Sequence, residues 1–101
     1  MKWVDSSHYP PFLRVKDEDY AIKFVKTVER KQKAGDEETL GLCDFDEKII
    51  YVKEDQEPDM IFGTVIHELG HAMEHEYKIR ISHKAIYQLD EAITQLFKDN
   101  F

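Results

Sequence analysis

The run His67-Glu68-Leu69-Gly70-His71 carries residue types at a spacing suited to metal-assisted hydrolysis. Helical residues four apart are offset by about 40° around the axis and about 6 Å along it, so the two imidazoles can converge on one tetrahedral ion. Glu68 follows the first histidine by about 100°, beside such an ion rather than on it. A carboxylate there can accept a proton from metal-activated water. On a wheel with His67 at zero, Phe62, Val65, Ile66, Leu69, Ala72 and Met73 fall between roughly 140° and 260°. The opposite half carries Gly63, Thr64, Glu68, Gly70, His71, Glu74, His75 and Lys78. The histidines therefore stand on a polar face, beside glycines that cost helix propensity yet let a backbone or a substrate come close. The expected cofactor is Zn²⁺, with His67 and His71 as ligands and Glu68 as the catalytic base.

A catalytic zinc site needs a third protein ligand and one open position. His75 continues the four-residue series, but in a straight helix it lies about 12 Å from His67 along the axis, too far to share an ion. His83, Asp90 and Glu91 remain. On local grounds Glu91 points away from the apolar face of the last segment, alongside Tyr87 and Gln95, and reads as surface.

The stretch resembles the gluzincin metallopeptidases, the thermolysin-like clan, in which H-E-x-x-H is followed by a glutamate ligand on a second helix. His71 and Glu91 have the thermolysin-like separation of nineteen intervening residues, and Leu89-Asp90-Glu91-Ala92-Ile93-Thr94-Gln95-Leu96-Phe97 is similar to the family's ligand segment. The resemblance covers roughly residues 40–98 and implies Glu91 as the third zinc ligand, with an edge strand bordering the cleft. Two positions depart from the pattern. Gln95 stands where the family has a histidine-orienting aspartate, and Ser82 aligns near its oxyanion-stabilising tyrosine; His83 and Tyr87 are the alternatives for that role. In size the chain is similar to compact gluzincins and to ImmA/IrrE-type domains. The implied activity is zinc-dependent peptide-bond hydrolysis on a protein or peptide substrate, a regulatory protein among them. The alternative is a zinc-containing regulatory or protein-binding module with a latent peptidase site.

These residues require particular elements. Pro58 or Asp59 opens a helix extending to about Tyr77 or Lys78. A last helix runs from Ser82 or His83 to about Lys98, with Ser82 as cap and Ile86, Leu89, Ile93, Leu96 and Phe97 as its core face. Residues 39–45 and 48–53 read as an antiparallel hairpin around Asp46-Glu47, with 12–15 as a third strand. From Asp17 the pattern reads as helical, with Tyr20, Ile22, Phe24, Val25 and Val28 on one side, Arg30, Lys31 and Lys33 in the last turn and Gly35 as the stop. The expected fold class is α+β: a small antiparallel sheet of two or three strands against about three helices, zincin-like, in one domain spanning 1–101.

Composition bounds the rest. One cysteine among 101 residues excludes an internal disulfide and every multi-cysteine zinc cluster. Cys43 sits in an apolar strand, where an inert thiol is the default. A net charge of -7 argues against binding a phosphate backbone broadly. No apolar run reaches the roughly 18–20 residues of a membrane span, and the N-terminus lacks a signal-peptide core, so a cytoplasmic location with neither nucleic acid nor membrane as partner is expected.

Overall fold

The computed structural model describes residues 6–28 and 40–101. The fold is α+β, with four strands, β1 (Phe12–Val15), β2 (Glu18–Val25), β3 (Gly41–Asp44) and β4 (Ile49–Lys53), followed by two helices, α1 (Pro58–Tyr77) and α2 (His83–Asn100). A short 3₁₀ turn, Ser6–His8, precedes the sheet. The strand order is β1-β2-β4-β3, so β3 and β1 are the edges. The outer pairs are antiparallel, but β2 runs parallel to β4, in register from Ala21 opposite Ile49 to Val25 opposite Lys53. The sheet is therefore mixed, and among the described residues there are four strands where two or three were expected and two helices where about three were.

The missing helix is the segment after Asp17, which forms β2 instead. Tyr20 and Ile22 are buried two residues apart on one face, the period of a strand. Aromatic and β-branched residues fill this stretch and favour a pleated, half-buried surface. The acidic run Asp17-Glu18-Asp19 belongs to a tight β1-β2 hairpin, not a helix N-terminus. Lys16 turns the chain at φ 57°, and Arg14 meets Asp19 across the strands at 3.1 Å. The basic residues Arg30, Lys31 and Lys33 and the stop at Gly35 lie outside the described residues.

The expected antiparallel hairpin forms, β3 pairing with β4 within the spans read from the sequence, while Thr39 lies outside the described residues. Asp44 sets its loop: its Oδ1 accepts the backbone N–H groups of Asp46 and Glu47, each at 3.0 Å, and Lys48 closes it at φ 59°. Strand 12–15 also forms.

α1 lies on the sheet and fills the core with Ile61, Val65 and Ala72 against Val15, Tyr20, Ile22, Cys43, Ile50 and Val52. Ile50 and Val52 are wholly buried, each stabilising by about 1.5–3 kcal/mol. The C-terminal part of α1 is pinned to the sheet through Glu76, whose Oε2 accepts from the Tyr20 hydroxyl (2.6 Å) and from Lys48 Nζ (2.8 Å). These donors hold the Glu76 carboxyl below its usual range, while burial, helped by Glu76, pushes the Tyr20 phenol up.

α2 packs on α1 through Ile86, Asp90, Ile93 and Phe97, with Phe97 against Phe62 at 4.9 Å between ring centres. Two members of the expected core face, Leu89 and Leu96, are instead half exposed. The turn that brings Asp90 toward α1 carries both leucines about 100–120° round from it. No described helix is long and apolar enough to cross a membrane.

Candidate metal centre

His67 and His71 rise from the middle of α1, one turn apart. Pro58 at the first helical position and the left-handed Lys78 at the last, whose N–H returns to the Glu74 carbonyl, set the ends of that helix. The Nε2 atoms of the two imidazoles stand 3.2 Å apart. The third imidazole is His83, at the first position of α2, with its Nε2 at 3.0 Å from that of His67. Ser82 caps α2, its hydroxyl accepting the Ala85 N–H at 3.1 Å, so the start of the helix that presents His83 is locally defined.

Carboxylates hold two of the rings from behind. His67 Nδ1–H donates to Asp90 Oδ2 at 2.9 Å, in a contact buried between the helices. His71 Nδ1–H donates to Glu74 Oε1 at 3.0 Å. Glu74 Oε2 in turn accepts the backbone N–H of Ile81 at 3.1 Å, which ties the loop before His83 to His71. Burial holds the His71 imidazole below its ordinary range, against the opposing pull of Glu74.

This arrangement fixes tautomers. With both Nδ1 atoms donating, the Nε2 atoms of His67 and His71 in their neutral rings are lone pairs turned toward each other. Two lone pairs at this distance repel unless a proton or a cation lies between them. In a tetrahedral site with bonds of about 2.0–2.1 Å, ligand nitrogens stand about 3.3 Å apart, close to the spacings found here. Among the described residues, His67, His71 and His83 are the group whose ligand atoms lie within 4.8 Å of one another. The donor set fits a borderline-soft divalent ion such as Zn²⁺.

Glu91, the ligand implied by the resemblance, is exposed on α2 and outside this group. About 100° separates consecutive helical residues, so Asp90 and Glu91 cannot both face α1. The stripe of buried Ile86 and Asp90 and half-buried Ile93 and Phe97 selects Asp90. His75 is also outside the group, exposed and stacked on Phe45 at 4.4 Å. Gln95 bonds Asp99 at the surface, and the orienting carboxylate sought there is supplied by Asp90. Neither Asp90 nor Glu74 was singled out in an orienting role on sequence grounds. A signal existed for Asp90: seven residues after His83, it shares that side of the helix to within about 20°.

Two glycines let the elements close on the site. A Cβ on Gly70 would meet Ile86 at 3.3 Å, so Gly70 admits α2 against α1, whereas one on Gly63 would stand at an ordinary 3.6 Å from Thr94 Oγ1. Gly41, in the edge strand β3, faces Glu68: a Cβ there would come within 3.1 Å of Glu68 Cγ and 3.2 Å of its Oε2. Glu68 is thus buried on α1 between the two histidines in sequence, with its carboxylate against the backbone of β3. Nearby, Cys43 is a buried free thiol, pushed up to about 12 by burial first and then by the charge of Glu68. On the open side, the exposed Tyr87 ring packs at 4.6 Å from His67 and 4.8 Å from His83. No protein-family model, curated protein or solved structure matches the chain.

Proposed function

We propose that the protein is a zinc-dependent peptide-bond hydrolase whose metal ligands are His67, His71 and His83. One observation carries this reading: three imidazoles from two helices converge, and two of them are locked by carboxylates in the tautomer that turns Nε2 inward. Metal-binding histidines characteristically pass their other N–H to a carboxylate or carbonyl, which fixes the ring and raises its basicity. Asp90 and Glu74 are in that relation to His67 and His71.

A bound Zn²⁺ would supply Lewis acidity, polarising a peptide carbonyl and making water acidic near pH 7. Glu68 then takes the proton from the attacking water and returns it to the leaving amine. Its position supports this role: it follows the first imidazole by one residue and lies buried on α1 against β3. β3, at the end of the strand order among the described residues, is the place for an extended substrate, by main-chain pairing. Tyr87, beside two of the imidazoles, is the candidate to donate a hydrogen bond to the developing oxyanion.

The test pairs metal content with cleavage. Purified protein should carry one zinc per chain and degrade an unfolded protein such as reduced casein. Glu68→Gln should keep the zinc and lose cleavage. Cleavage unchanged in Glu68→Gln would overturn the base assignment. A zinc-loaded wild type that cuts nothing would favour the regulatory-module alternative.

A further inference from the structure

The segment that joins the two helices beside the candidate metal centre, between Glu76 and Asp90, has a net charge opposite to that of the rest of the chain. Residues 77–89 contain Lys78, Arg80 and Lys84 and no acidic residue. The other 88 residues hold all 21 Asp and Glu against 11 of the 14 Lys and Arg. All three cations are exposed, and among the described residues none of them is in an ion pair. By contrast, Arg14, Lys48 and Lys98 are each matched to a carboxylate.

Helix electrostatics account for only part of this strip. Lys78 caps the C-terminus of α1, where a cation is favourable. Lys84 lies in the first turn of α2, where the helix dipole already presents positive charge and no acidic residue offsets it. A cation there works against the helix and adds to an outward positive field. The backbone next to Arg80 is tied to the imidazole cluster, because Ile81 gives its N–H to Glu74, which accepts from His71. Lys84 directly follows His83. Ile79, between Lys78 and Arg80 in the sequence, and Tyr87, three residues past Lys84, are exposed apolar side chains.

We propose that the Arg80–Lys84 strip selects peptide segments in which Asp or Glu side chains flank an apolar stretch, drawing them onto the imidazole cluster. The choice of catalysed substrate rests on the hydrolase reading; the binding preference does not. In an acidic protein a local positive strip focuses the field for an incoming anion while the remaining surface repels it. The same imbalance disfavours nucleic acid, whose long phosphate backbone would meet acidic surface beyond three cations.

The test uses the zinc-loaded Glu68→Gln protein and a short fluorescein-labelled peptide with a Leu-Ala centre flanked by glutamates. A matched peptide carries glutamines, and binding is followed by fluorescence anisotropy at low and high salt. The acidic peptide should bind roughly tenfold more tightly at low salt, with the gap closing as salt rises. Adding Arg80→Glu and Lys84→Glu, both at exposed positions, should abolish or reverse the preference while the thermal melt does not fall. Equal binding of the two peptides, a preference that survives charge reversal, or tighter binding of an oligonucleotide would each overturn the proposal. Wild-type protein that cuts both peptides equally would sink the selection and leave the hydrolase standing. Selective binding without any cleavage would do the opposite.

Discussion

His67 and Asp90, twenty-three residues apart and on different helices, meet at 2.9 Å in a contact that both helices bury. That contact orients the first imidazole of the H-E-x-x-H run and sets the rotation of α2. It also brings His83, on the same side of α2, to within 3.0 Å of His67.

Replacing Asp90 with Asn keeps an acceptor oxygen but removes the charge behind His67. Zinc affinity, measured by competition with a chromophoric chelator, should fall by roughly 10- to 100-fold, the usual effect of losing an orienting carboxylate. The fold should survive, which circular dichroism checks. An unchanged affinity would show that Asp90 only packs the helices.

The third ligand is decided by comparing His83→Ala with Glu91→Ala. Loss of His83 should weaken zinc binding far more than loss of Glu91, which is exposed and outside the three-imidazole group. A cobalt-substituted protein gives a second readout, because removing a ligand alters the visible bands of a tetrahedral site. The reverse ranking would restore the glutamate implied by the thermolysin-like resemblance.

Gly41→Ala should destabilise the protein by about 1–3 kcal/mol and slow cleavage. Its methyl would fall 2.5 Å from Thr64 Cγ2 and 3.1 Å from Glu68 Cγ, so β3 or α1 must shift. Adding Thr64→Ser removes Cγ2 while keeping a hydroxyl for Gln56, and should recover part of the stability. Urea denaturation of the two variants measures both effects.

Glu76 makes acid stability testable. Its folded carboxyl lies below the ordinary value of 4.5 because Lys48 and the Tyr20 hydroxyl donate to it. A depressed value means full stabilisation above about pH 4.5 and progressive loss as the pH falls through the folded value. Glu76→Gln should lower the melting temperature near neutrality and flatten its decline in acid. Parallel acid limbs for the two proteins would show that the contact does not stabilise the fold.

Much of the architecture was legible in the order of residues. Helices end where Pro58, Lys78 and Ser82 act through local backbone geometry, so α1 and the start of α2 follow from short-range chemistry. The β3-β4 hairpin is likewise local, its loop held by Asp44. The segment from Glu18 to Val25 was not legible as a strand, because its apolar residues suit both periods. The choice was made by β4, whose parallel pairing supplies β2 with hydrogen bonds that its own sequence cannot announce. The same holds for Leu89 and Leu96: a helical wheel ranks residues by apolarity, whereas the rotation of α2 answers to Asp90 bonding His67.

From the sequence alone came the paired imidazoles one turn apart, the carboxylate between them and the two helices that carry these side chains. These depend on spacing within a single helix, where a rise of about 1.5 Å and a turn of about 100° per residue leave little freedom. Only the tertiary structure decided which side chains meet, placing His83 beside the paired imidazoles, leaving Glu91 exposed, and setting carboxylates behind two of the rings. That choice turns on how one helix is rotated against another, a degree of freedom set by glycine-permitted close packing and by a buried contact across twenty-three residues.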